Sequence, residues 1–118
     1  MITQTQFDTI YRGLAAQGWE RSYDEEHTMC LYRDRPNGRK CAIGHLIADE
    51  DYTVDMDAFD TSSGCFTLVN FHQRDLLMDM TSDEFQLLQQ AHDNNEYPAE
   101  MKAAFEDIAL DLGLVIPS

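Results

Sequence analysis

The chain has 118 residues, 43% of them hydrophobic, with 22 acidic residues against 8 basic ones and a net charge of −14. That length supports one hydrophobic core, hence one domain over residues 1–118, and the composition excludes a disordered chain. The charge argues against binding nucleic acid through its phosphates and against docking on anionic lipid. No apolar stretch approaches the ~20 residues that cross a membrane.

The first predicted element is a helix over about residues 4–17. Thr3-Gln4-Thr5-Gln6 has the form of a capping box, and Phe7, Ile10, Tyr11 and Leu14 repeat at helical spacing up to a stop at Gly18. The opening residues Met1 to Gln6 have no basic start and no apolar core, so no secretion signal and a cytosolic setting are expected. Asp24-Glu25-Glu26 reads as a solvated turn. A hairpin follows, with strand formers over Thr28–Arg33, a turn at Pro36-Asn37-Gly38 and a return strand over Arg39–Ile43.

The apolar run Cys41–Ala48 has the length of a strand or of a short buried helix. We favour a strand to about Cys41 and a helical turn through Ala48. Residues 49–64 read as an acidic loop, and Cys65–Phe71 as a strand or an irregular buried segment. A second capping box, Thr81-Ser82-Asp83-Glu84, opens a helix carrying Phe85, Leu88 and His92, which ends at Asn94-Asn95. Pro98 then starts a last helix with Met101, Phe105, Ile108 and Leu112 on one stripe and Gly113 at its end. The expected fold class is α+β, with three main helices packed on a small antiparallel sheet containing a β-hairpin.

The charge is unevenly spread. Arg33, Arg35, Arg39 and Lys40 make the hairpin locally basic. Asp49, Glu50, Asp51, Asp55, Asp57 and Asp60 load one loop with carboxylates, and the last two helices carry Asp83, Glu84, Asp93, Glu96, Glu100, Glu106, Asp107 and Asp111 against Lys102 alone. A field of one sign attracts basic partners, although solubility alone also benefits from it.

Three cysteines (Cys30, Cys41, Cys65) are an odd number without a paired spacing, so reduced thiols are expected rather than a disulfide framework. Cys41 and His45 would share a face if residues 41–48 were α-helical, which would suit a zinc ligand pair or an activated thiol. C-x-x-C and H-E-x-x-H patterns are absent, so core packing is the simpler role. The acids from Asp49 to Asp60 fall at calcium-loop positions, but Val54 stands where such a loop needs Gly and Asp60 where it needs Glu. We therefore expect no metal, no cofactor and no catalytic residues.

Cys30-Leu31-Tyr32-Arg33, the run from Gly38 through Cys41-Ala42-Ile43-Gly44 to Asp49-Glu50, and the later Ala91-His92-Asp93 resemble a group of small phage and prophage proteins. That group carries a C-x-Y-R…G-x-K-C-A-[IV]-G-x-L-I-x-D-E pattern. The resemblance implies a phage setting and supplies no catalytic residues. In that setting the expected function is a non-enzymatic inhibitor of a host defence or nucleic-acid-handling protein, of the anti-CRISPR or DNA-mimic type. It would occupy a basic site on the host protein in the host cytosol. Its partner-binding residues would be Asp49, Glu50, Asp51, Asp55, Asp57 and Asp60, with Asp83, Glu84, Glu100, Glu106 and Asp107 as a second patch. The alternatives are a metal- or thiol-dependent enzyme or sensor built on Cys41 and His45, and a regulatory subunit pairing through an apolar face around Met78 and Met80.

Overall fold

The computed structural model describes residues 2–24, 29–34, 37–57 and 68–117. Helix α1 spans Gln4–Ala16. Its capping box is complete: the Gln6 N–H donates to Thr3 Oγ1 at 3.1 Å and the Thr3 N–H to Gln6 Oε1 at 2.9 Å. Two orphan donors of the first turn are thereby satisfied. Phe7, Ile10, Tyr11 and Leu14 are the buried stripe. The helix ends at two successive left-handed residues, Gly18 (φ 69°) and Trp19 (φ 60°). Glycine adopts that conformation freely; tryptophan does not. Packing holds it there: the indole meets Tyr11 edge-on at 4.8 Å and Phe105 at 6.2 Å, and the backbone N–H of Trp19 donates to Leu14 O at 2.8 Å.

Of the predicted hairpin turn, Asn37 and Gly38 are a turn and Pro36 lies outside the described residues, and the strands are divided. Strand β1 (Tyr23–Asp24) pairs antiparallel with β2 (Met29–Cys30), and β3 (Arg33–Asp34) with β4 (Arg39–Lys40). Asp24 is therefore a strand residue rather than part of a turn, and the expected single strand over 28–33 serves two ladders. The reason is the pair between them. Leu31 and Tyr32 are both buried, whereas alternation in a strand would turn one of two neighbours to solvent. The return strand stops at Lys40, earlier than Ile43, because the chain turns into a buried 3₁₀ turn over Ile43–Leu46. Gly44 is required in that turn: a Cβ there would collide with the Tyr32 carbonyl oxygen.

Within the acidic loop, Val54–Asp57 form a second 3₁₀ turn. The segment read as a strand or irregular stretch holds a helix, α2 (Leu68–Gln73), with Leu68 and Phe71 buried one turn apart; residues 65–67 lie outside the described residues. Helix α3 (Ser82–Asp93) begins at the second complete capping box, Thr81 with Glu84. Helix α4 (Pro98–Leu112) has Pro98 in its first turn and Gly113 left-handed at its end. The fold is α+β and dominated by three long helices. Phe7, Ile10 and Leu14 of α1, Ile43 of the turn, Phe71 of α2, Leu88 of α3 and Met101 and Phe105 of α4 belong to one core cluster. The Ile43–Leu46 turn packs against both α1 and α3. Among the described residues no helix is long and apolar enough to cross a membrane.

Candidate binding surface

Cys41 and His45 do not form a chemical pair. Cys41 precedes the 3₁₀ turn Ile43–Leu46 and His45 lies within it, and the two side chains meet different groups. The Cys41 thiol is buried and accepts the Gly44 N–H at 3.3 Å. Burial pushes its acidity far towards the protonated form, which is the opposite of an activated nucleophile. His45 faces Gly13 of α1, and its Nε2 lies 3.1 Å from Gln17 Oε1. That oxygen also accepts the Lys40 N–H at 3.0 Å, so His45 is the donor and carries its proton on Nε2. Burial, reinforced by the charges of Lys40, His92 and Arg33, lowers the His45 pKa to about 4. The Cys30 side chain and Cys65 lie outside the described residues. Among the described residues no three His, Cys, Asp or Glu side chains are placed to hold a metal ion.

A second histidine is fully enclosed. His92 Nε2 accepts the Ser22 N–H at 3.0 Å, and its Nδ1 lies 2.8 Å from Asp93 Oδ1, with Arg21 donating to the Asp93 carbonyl at 3.1 Å. Ser22 Oγ is buried without a hydrogen-bond partner among the described residues. The arrangement ties the segment after α1 to the end of α3, with His92 0% exposed. The apolar face around Met78 and Met80 is split: Met78 is exposed and Met80 belongs to the core.

The acids predicted to meet a partner take different places. Asp57 is buried. Its two oxygens accept the Tyr32 N–H at 2.7 Å, the Arg33 N–H at 3.1 Å and the Tyr52 hydroxyl at 2.8 Å. Glu84 is buried too; burial acts to raise its pKa, but hydrogen bonds from Ile2 N and from the Thr81 N–H and hydroxyl outweigh this and hold it below the usual carboxylate range. Both therefore leave the proposed surface, because the backbone donors they satisfy are inside the protein. Asp49 is exposed but paired with Arg33 at 2.7 Å and Lys40 at 3.8 Å. Glu106 accepts the Tyr11 hydroxyl at 3.1 Å, and burial together with that carboxylate raises the phenol's pKa. Asp83 and Glu100 are exposed in the first turns of α3 and α4, where negative charge suits the helix dipole. The Asp55 side chain and Asp60 lie outside the described residues.

Glu50, Asp51 and Asp107 remain exposed with none of these roles. Asp111 joins them, a residue the predicted patch omitted although its i+4 spacing from Asp107 is legible in the sequence. Neither Asp107 nor Asp111 forms an ion pair among the described residues. Asp111 stands in the last turn of α4, which has no basic residue. Negative charge there opposes the helix dipole, and two like charges four apart repel. Together these effects cost roughly 0.5–1 kcal/mol.

Both carboxylates line a groove of about 300 Å³ between α3 and α4. Leu87, Ala91, Ala104 and Ile108 supply its apolar lining, and Gln90, Asn94 and Asn95 lie on the α3 side. A different cleft, of about 730 Å³, lies between the end of α1 and the hairpin, with Arg39 and Lys40 beside Glu20. Its cations are already engaged, Arg39 by Glu20 at 3.9 Å and Lys40 by Asp49. No family model matches the chain, and no curated protein or solved structure matches it either.

Proposed function

We propose that this chain is a non-enzymatic acidic binding protein that occupies a basic site on a partner protein. One observation carries the reading. The carboxylates of Asp107 and Asp111 are exposed, meet no cation among the described residues and repel each other one turn apart, and Asp111 stands in the last turn of its helix, where negative charge opposes the dipole. Solubility would be served as well by acids placed at helix N-termini, where Asp83 and Glu100 already are. Exposed Glu50 and Asp51 add to the same field. The sequence resemblance to phage proteins supports a host defence or nucleic-acid-handling complex as the partner's setting.

The enclosed thiol of Cys41 and the fully buried ring of His92 weigh against chemistry at either group. The test is binding to a Lys- and Arg-rich peptide over a salt series. Screening shortens the reach of charge from ~10 Å at 0.1 M to ~3 Å at 1 M salt, so affinity should fall steeply. Asp107→Asn/Asp111→Asn should bind more weakly and respond less to salt. Affinity indifferent to salt would remove the electrostatic basis of the proposal.

A further inference from the structure

We infer that the α3–α4 groove is the docking site itself, and that it receives a protein segment presenting an aliphatic side chain flanked by lysine or arginine. This rests on the function proposed above and adds the place and the chemistry of contact. Three features of the groove select the occupant.

First, its lining is apolar where the helices meet. Leu87 keeps 38% of its surface exposed, next to Ala91, Ala104 and Ile108. At about 300 Å³ the space is at the small end of ligand pockets, enough for one or two aliphatic side chains but not for a folded element. The short side chains of Ala91 and Ala104 leave this space between two helices that are in contact and share one core cluster with Leu88, Met101 and Phe105.

Second, Asp107 and Asp111 lie along the α4 side, one turn apart, where a cation beside a docked apolar residue would meet them. The end of α4 adds the negative pole of its dipole at the same place. A cation docked there would relieve the repulsion between the two carboxylates and the conflict of Asp111 with the helix end, so the unfavourable placement in the free protein becomes favourable in the complex.

Third, the α3 side offers no positive charge. Gln90, Asn94 and Asn95 are neutral, and Asn95 is already used internally, donating to the Ala91 carbonyl at 2.7 Å. An anionic segment or an anionic membrane surface finds no cation among the groove's lining residues. A second copy of the chain brings a further net charge of −14, which opposes self-docking.

The test uses two synthetic helical peptides of identical positive charge, one with a single central leucine and the other with serine in its place. Each is titrated into the isotope-labelled full chain at low salt, with backbone amide shifts followed by NMR. The leucine peptide should bind at least tenfold tighter than the serine peptide and move the amides of Leu87, Ala91, Ala104, Asp107, Ile108 and Asp111. Leu87→Ser should abolish the difference between the peptides. Asp107→Asn/Asp111→Asn should weaken both peptides severalfold, and a thermal melt of each variant confirms that it folds.

Equal binding of the two peptides, with shifts gathered at Glu50 and Asp51, would overturn the groove as the docking site and leave the acidic-binder reading standing. No binding of either peptide would overturn both. Groove shifts that grow with protein concentration in the absence of peptide would identify a second copy as the occupant and refute the cationic one.

Discussion

His45 provides a sharp test of the packing between α1 and the Ile43–Leu46 turn. Its pKa of about 4 is well below the ordinary 6.5, with burial as the largest cause and Lys40, His92 and Arg33 adding repulsion. The folded state therefore takes up this proton only near pH 4, whereas the unfolded chain takes it up near 6.5. Between these values the unfolded state binds more protons. The stability linked to His45 is complete above pH 6.5 and is lost as pH falls towards 4. At about 1.36 kcal/mol per pH unit, and allowing for the ring's partial contact with water, the loss is roughly 2–3 kcal/mol. That is a sizeable share of the ~5–15 kcal/mol that stabilises a typical domain.

Carboxylates titrate at the lower end of the same range, so the wild type alone is not informative. His45→Gln keeps an amide donor near Gln17 but cannot titrate. Urea unfolding of both proteins, followed by the fluorescence of the sole tryptophan, Trp19, gives the difference at pH 7.5 and at pH 4.5. The wild type should lose roughly 2 kcal/mol more than the variant over that interval. An NMR titration of the imidazole should show its midpoint near 4. A midpoint near 6.5, or parallel pH profiles for the two proteins, would falsify the enclosed, Nε2-protonated histidine described here.

Other expectations concern single contacts. Gly13→Ala places a Cβ within 2.7 Å of His45 Cγ, so despite alanine's helix propensity we expect a loss of about 1–2 kcal/mol. The same change in a His45→Ala background should stabilise, and a gain in the wild type would contradict the contact. Asp57→Ala removes the acceptor for Tyr32 N, Arg33 N and the Tyr52 hydroxyl and should cost about 3 kcal/mol or more in chemical denaturation. Asp111→Asn should stabilise by about 0.5–1 kcal/mol while weakening binding to a cationic peptide. If the thermal midpoint falls instead, the carboxylate has an internal partner.

The parts of the fold written in local sequence were the parts that could be read from it. Thr3 with Gln6 and Thr81 with Glu84 satisfy helix N-termini within four residues, and the stripes of α1, α3 and α4 repeat over several turns. The division of the strand at Leu31-Tyr32 depends on Asp57, which takes the Tyr32 and Arg33 N–H groups from far along the chain. In sequence, Asp57 is one acid among many, so nothing separates it from exposed Asp51. Helix α2 offers only Leu68 and Phe71 as a buried pair, too short a stripe to reveal a period. Glu84 shows the limit within the candidate surface: the capping box that predicted α3 also explains why this carboxylate is turned inward. Asp107 and Asp111 acquire meaning only once the helix end and the apolar groove beside them are known.

The hairpin of β3 and β4 has only two residues in each strand, which leaves an open edge on either side. Side chains occupy hydrogen-bonding positions on both edges. Gln17 presents its amide to Lys40 as a neighbouring strand would, taking the N–H at 3.0 Å and giving a hydrogen to the carbonyl at 2.8 Å. On the opposite edge Asp57 takes the Arg33 N–H. A foreign strand seeking to extend this ribbon finds those hydrogen-bonding positions filled, which protects a short β element from templating aggregation.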